Sequence, residues 1–155
     1  MSNSDLLLPS SPGSYLLILY LRKQTAVQVG RLGNFSFRRG WYFYAGSAFG
    51  PGGLQGRLSH HLRPLRQLHW HIDYLRSAAE LRAFCYQLGV NNEHRWAAAL
   101  GTLDPTSFPV HKFGASDCLC QSHLLYSPRF LSRKLLADTL GISFAKIGNA
   151  SFQQV

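Results

Sequence analysis

Tyr15-Leu-Leu-Ile-Leu-Tyr-Leu21, followed by the polar Arg22-Lys-Gln24 and by Ala26-Val-Gln-Val-Gly-Arg31, decides the reading of the fold. The first run is apolar and rich in strand-forming residues. The second alternates apolar with polar residues as a half-buried strand does, and the three residues between them read as a turn. Together they predict a hairpin. Gly33-Asn34 punctuates the chain, and Gly40-Trp-Tyr-Phe-Tyr-Ala-Gly46 is a further aromatic strand bracketed by glycines, which completes an expected three-stranded antiparallel sheet.

Downstream the period changes. After the tight loop Gly50-Pro-Gly-Gly53, residues Leu54, Leu58, His61 and Leu62 recur at helical spacing until Pro64 ends the run. His69-Trp-His-Ile-Asp-Tyr-Leu75 reads as a short turn or helix, Leu81 to Leu88 as another strand, and Asn92 to Leu100 as a helix capped by Asn91 or Asn92. Phe113 to Cys120 is loop-like, and His123 to Tyr126 fits a short strand. Phe130, Leu131, Lys134, Leu135 and the residues from Ala137 to Leu140 predict an amphipathic helix that stops at Gly141 and packs on the sheet. The expected architecture is α+β, a small, mainly antiparallel central sheet flanked by helices. Residues 1–12, rich in Ser, Asn and Pro, read as a disordered lead-in, residues 13–127 as the functional domain, and residues 128–155 as a C-terminal helix and tail.

A chain of 155 residues is long enough to bury one core without disulfide staples. Its apolar runs are far shorter than the roughly 20 residues of a membrane helix, and the first residues lack an export pattern. Three cysteines, Cys85, Cys118 and Cys120, are an odd number, and the last two stand too close to pair comfortably, which suits a reducing cytoplasm. The net charge of +9 comes from 12 arginines and four lysines against seven acids. It points to a polyanionic partner, nucleic acid above all, because guanidinium groups match phosphate geometry.

Three separated pieces carry chemistry: Gly13-Ser-Tyr15, Tyr44-Ala-Gly46, and Gly53-Leu-Gln-Gly-Arg57-Leu-Ser-His-His61. Arg57 and His61 stand four apart, so on a helix they share a face from which His60 turns away. Taken singly, Tyr15 and Tyr44 read as packing residues and Arg57 and His61 as a solvated basic face. In their order and spacing they resemble the GIY-YIG nuclease superfamily. The run Tyr42-Phe-Tyr-Ala-Gly-Ser-Ala48, the loop Gly50-Pro-Gly-Gly-Leu54, His69-Trp-His-Ile-Asp-Tyr74 and Phe113-Gly-Ala-Ser-Asp-Cys-Leu-Cys-Gln-Ser-His123 are similar to the little-characterised branch sometimes fused to endonuclease III-type glycosylases. The stretch between Tyr15 and Tyr44 is longer than is usual in the superfamily.

That resemblance implies a metal-dependent endonuclease acting on nucleic acid, DNA ahead of RNA, with a link to DNA repair. Tyr15 would serve as general base or orient the attacking water, Tyr44 would support the water or the phosphate, Arg57 would hold the scissile phosphate, and His61 would assist the nucleophile or protonate the leaving group. It also implies one glutamate holding Mg²⁺ or Mn²⁺. The chain has two glutamates: Glu93, at the start of a helix, fits the order better, and Glu80 is the alternative.

His69, His71, Cys118, Cys120 and His123 raise a second expectation, a structural Zn²⁺ site, since imidazole and thiolate are zinc ligands. Asp73 and Asp117 read as partners that orient Arg or His. No nucleophile elbow, Walker lysine or dinucleotide fingerprint is present. The rivals to an endonuclease are a nucleic-acid-binding module of the same fold without turnover and a zinc-stabilised interaction domain.

Overall fold

The structure, a computed structural model, describes residues 8–142 and 147–148. Its core is an antiparallel sheet with β1 (Gly13–Leu21) at the centre, β4 (Gly40–Ala48) on one side and β5 (Glu80–Leu88) on the other. The short β6 (Leu124–Ser127) lies outside β4, and the two-residue β7 (Ile147–Gly148) lies outside β5. This is the expected α+β arrangement, with helices α1 (Gly53–Leu62), α2 (His71–Arg76), α3 (Glu93–Gly101) and α4 (Arg133–Leu140) flanking the sheet.

Both faces of β1 are covered, which is why its sequence is continuously apolar instead of alternating. Tyr15, Leu17, Leu19 and Leu21 face Leu54 and Leu58 of α1 and Ile72 and Leu75 of α2. On the reverse side Leu16 and Ile18 pack with Trp96, Ala97 and Leu100 of α3 and with Leu136, Ala137 and Leu140 of α4. The Trp96 indole N–H donates to the Leu140 carbonyl at 3.1 Å, tying the end of α4 to α3.

The first hairpin differs from expectation. β2 (Thr25–Val29) does not pair with β1; it turns back on β3 (Gly33–Phe37), a strand that the glycine at position 33 had concealed, and the two form a separate ribbon. The physical reason lies in burial. Tyr42, Phe43, Tyr44 and Ala45 of β4 are buried on successive positions and fill a place inside a two-sided sheet, whereas in β2 burial alternates, so it can only cover a face. Val27, Val29 and Phe37 of the ribbon join the core beside α2. The ribbon therefore accounts for the long stretch between Tyr15 and Tyr44 while leaving β1 and β4 in direct register.

Residues 8–12 are also held more firmly than a disordered lead-in would be. The α1 helix begins after Gly52, which has no side chain to cap it, so its free N–H groups find backbone acceptors upstream. Leu54 donates to the Ser11 carbonyl at 3.0 Å and Gln55 to that of Pro9 at 2.8 Å. Residues 1–7 of the expected lead-in, and most of the tail after Ile142, lie outside the described residues.

If α4 belongs to the core, Leu136→Ala will lower the unfolding free energy by about 2 to 5 kcal/mol, the usual range for a fully buried leucine. Urea titration measures it, and a loss below about 1 kcal/mol would mean that α4 is an appendage.

Candidate active site

The β1–β4 register sets Tyr15 opposite Gly46 and Leu17 opposite Tyr44, so the two tyrosines are diagonal neighbours on one face of the sheet. A Cβ on Gly46 would come within 2.4 Å of the Tyr15 ring, so the phenol can lie across β4 only because residue 46 is glycine. Gly114, with φ of 68°, plays the same part beneath Tyr44, where a Cβ would come within 2.8 Å of the ring. Arg57 from α1 and Glu93 from the first turn of α3 complete a cleft of about 450 Å³, also lined by His69, Trp70, His71 and Asp117.

Tyr15 and His61 are fully buried partners, with Tyr15 Oη 2.9 Å from His61 Nε2. Burial, reinforced by Tyr44 and opposed by the Arg57 guanidinium, pushes the Tyr15 phenol well above its ordinary range, so it stays protonated. Burial, with Arg76 adding to it, lowers His61 to about 3 against the pull of Asp73, so the imidazole is neutral. The phenol therefore donates and Nε2 accepts. That leaves the proton on Nδ1, which has no hydrogen-bond partner among the described residues and lies 4.0 Å from Asp73 Oδ1.

Asp73 is buried and organises this corner. Its Oδ2 accepts from the backbone N–H groups of His69 at 2.9 Å and Trp70 at 3.0 Å, closing the first turn of α2, and its Oδ1 meets His60 Nε2 at 3.0 Å. Burial pushes the carboxyl up, but these three partners outweigh it and hold Asp73 below its ordinary value. His60 thus turns to Asp73 and stays outside the lining of the cleft, and the aspartate orients a histidine as the sequence suggested. Trp70 fills the space between: the Arg57 guanidinium lies 4.2 Å from its ring centroid, and His60 packs on it at 4.7 Å.

The two glutamates separate clearly. Glu93 lines the cleft, and its negative charge adds to burial in raising the Tyr44 phenol. Glu80 pairs with Arg22 and Arg82 and stands opposite Tyr20, at the other end of β1 from Tyr15, roughly 17 Å along the strand. It contributes nothing to the cleft.

The five histidines and cysteines expected to form one zinc set divide in two. His69 and His71 line the cleft, and His71 Nδ1 accepts from the Gly114 amide at 2.9 Å. Cys118, Cys120 and His123 instead gather with His94, a residue the sequence reading did not single out, and their ligand atoms all lie within 4.8 Å of one another. The signal for His94 was its position beside Glu93 on the helix that faces the cysteine loop, which only the tertiary arrangement exposes. Clusters able to hold a metal ion are therefore present. No helix among the described residues is long and apolar enough to cross a membrane.

The neutral buried histidine gives a measurable pH dependence. Below about pH 6.5 the unfolded chain binds a proton at position 61 that the native chain refuses, so stability is complete above that pH and falls as pH drops towards 3, by about 1.4 kcal/mol per unit. Between pH 7 and 4.5 His61 should account for a loss of about 2 to 3 kcal/mol, absent from His61→Gln. Equal losses in the two proteins, measured by urea unfolding at both pH values, would contradict a neutral His61.

A search of curated proteins and of solved structures finds no match. The family described as Domain of unknown function DUF123 matches residues 14–142, from the start of β1 to just beyond α4. The matched span contains every residue of the cleft and of the cysteine–histidine cluster, and the chain belongs to this family.

Proposed function

We propose that the chain is an endonuclease that hydrolyses DNA phosphodiester bonds with the help of Mg²⁺ or Mn²⁺, with DNA repair as its setting. The observation that carries this reading is the convergence of Tyr15, Tyr44, Arg57 and Glu93, drawn from two strands and two helices, on one cleft, with His61 buried behind Tyr15 and bonded to its hydroxyl. Their order along the chain, similar to that of GIY-YIG nucleases, supports it, and so does the net charge of +9. A second concavity of about 740 Å³, lined by Arg63, Arg66 and His60 and sharing His69 and Trp70 with the cleft, offers a path for the phosphate backbone.

Each side chain has a task suited to its state. Arg57, braced on Trp70, presents a permanent positive charge to a non-bridging phosphate oxygen. Tyr15 takes a proton from the attacking water as its own passes along the 2.9 Å hydrogen bond to His61 Nε2. The imidazolium so formed faces the Asp73 carboxylate at 4.0 Å and, being buried behind Tyr15, returns its proton to the Tyr15 oxygen, as the phenol, which lines the cleft, passes the proton it took from water to the departing oxygen when the P–O bond breaks. Glu93 and Asp117 supply oxygen donors, without a cysteine in the lining, which fits a hard divalent ion. Such an ion would neutralise charge on the phosphate and acidify water.

Labelled single-stranded, duplex, flapped and branched DNA incubated with Mg²⁺ or Mn²⁺ tests the proposal. Cleavage should fall by about 10²- to 10⁴-fold in Tyr15→Phe, by about 10²- to 10³-fold in Arg57→Ala, and be lost in Glu93→Gln at the Mg²⁺ or Mn²⁺ concentrations that support the unaltered chain. Salt-sensitive binding without cleavage by the unaltered chain would instead make it a binding module of the same fold.

A further inference from the structure

We infer that His94, Cys118, Cys120 and His123 form a tetrahedral Zn²⁺ site that staples the loop before β6 to the first turn of α3. The distances already have the scale of a ligand shell. With Zn–S near 2.3 Å and Zn–N near 2.0 to 2.1 Å, tetrahedral geometry spaces ligand atoms about 3.3 to 3.8 Å apart. Here His94 Nδ1 lies 3.2 Å from His123 Nε2 and 3.0 Å from Cys120 Sγ, and Cys118 Sγ lies 3.5 Å from His123 Nε2. Two thiolates and two imidazoles favour zinc over the hard ions suited to a carboxylate site.

The chain around the cluster is arranged to present these atoms. Residues 111–123 contain no helix or strand, only successive turns, and Leu119 between the cysteines is fully exposed while Cys118 and Cys120 turn inward. Lys112 Nζ donates to the carbonyls of Cys118 at 2.7 Å and Cys120 at 3.1 Å, fixing the backbone of both and placing a positive charge beside the thiols. His123 is anchored by its amide to the Phe113 carbonyl at 2.9 Å, and its own carbonyl accepts from Ala45 of β4 at 3.0 Å. An ion here joins the loop, the entry to β6 and α3, in a segment that has little other regular structure to hold it.

The outer partner of His94 links this site to the cleft. With Nδ1 turned to the cluster, Nε2 carries the proton and lies 3.5 Å from Glu93 Oε1, an ion-pair distance that sets a carboxylate beside the second nitrogen of the ligating histidine. The same Glu93 lines the cleft, so the ion steers the carboxylate that the nuclease reading assigns to the divalent metal. Only this last link rests on that reading; the zinc site stands without it.

The full chain, purified without chelators, should contain about one zinc per molecule by atomic emission. Cobalt(II) replacement should give the intense visible and thiolate charge-transfer bands of a tetrahedral sulfur site. The Cys118→Ser/Cys120→Ser and His94→Ala variants should lose the ion, His94→Cys should retain it with an altered cobalt spectrum, and His71→Ala should retain it unchanged. Glu93→Gln should weaken zinc binding by about 10- to 100-fold. Less than about a tenth of a zinc per chain together with no cobalt spectrum would overturn the proposal, as would full zinc retention in both the double serine variant and His94→Ala. Unaltered zinc affinity in Glu93→Gln would overturn the link to the cleft alone. Because metal content and cobalt spectra are read without DNA, they separate failure of the zinc site from failure of the nuclease reading.

Discussion

The close approach of the Tyr15 ring to the backbone of Gly46 is the constraint on which the cleft depends. It exists because β1 and β4 pair without offset from Gly13 against Ala48 to Leu21 against Gly40. A slip of one residue would send Tyr15 to the opposite face and bring a side chain under its ring. The ribbon formed by β2 and β3 leaves this register untouched because it packs on the sheet instead of joining it. Once the phenol lies over Gly46, His61 of α1 meets it at 2.9 Å, Arg57 follows one helical turn earlier on the same face, and Tyr44 is held over Gly114.

The electrostatics of this corner divide labour between neutral and charged groups. Burial keeps the Tyr15 phenol protonated and the His61 imidazole unprotonated, a donor and an acceptor ready for one another. Charge is carried around them by Arg57, by Glu93 and by Asp73, whose three hydrogen bonds preserve its ionised form despite burial. Asp73 also closes the start of α2 and grips α1 through His60, so the same carboxylate positions both helices and the histidines beside the cleft. Structure and chemistry are coupled there through a single side chain.

Much of this was legible in the sequence where a local rule governs. The apolar run from Tyr15 to Leu21, the strand from Leu81 to Leu88 and the helix between the glycine loop and Pro64 follow from period and punctuation, and the spacing of Arg57 and His61 does place both towards Tyr15. What escaped required knowledge of pairing over distance. The partner of β1 is β4, although β2 follows first in sequence, and the continuous burial of Tyr42 to Ala45 against the alternation in β2 was the clue that distinguished them. His94 and Glu93 are adjacent in sequence yet face a cysteine loop and a tyrosine cleft, a division made by the orientation of α3 and not by any motif. His69 and His71 share residue type with His94 and His123 of the cysteine–histidine cluster but follow Asp73 and Gly114 into the cleft.

The proposed hydrolysis requires that the cleft under Tyr15 and Tyr44 hold a hard divalent ion through Glu93. Titration of ¹⁵N-labelled protein with Mn²⁺ decides whether it does, because paramagnetic broadening reports where the ion resides. The amide signals of Tyr44, Gly46, Glu93 and Gly114 should broaden first, signals near Gly40 and Leu21 at the far end of the strands should persist, and Glu93→Gln should abolish the pattern. Broadening spread over surface acids such as Glu80 and Asp138, and unchanged by Glu93→Gln, would contradict it.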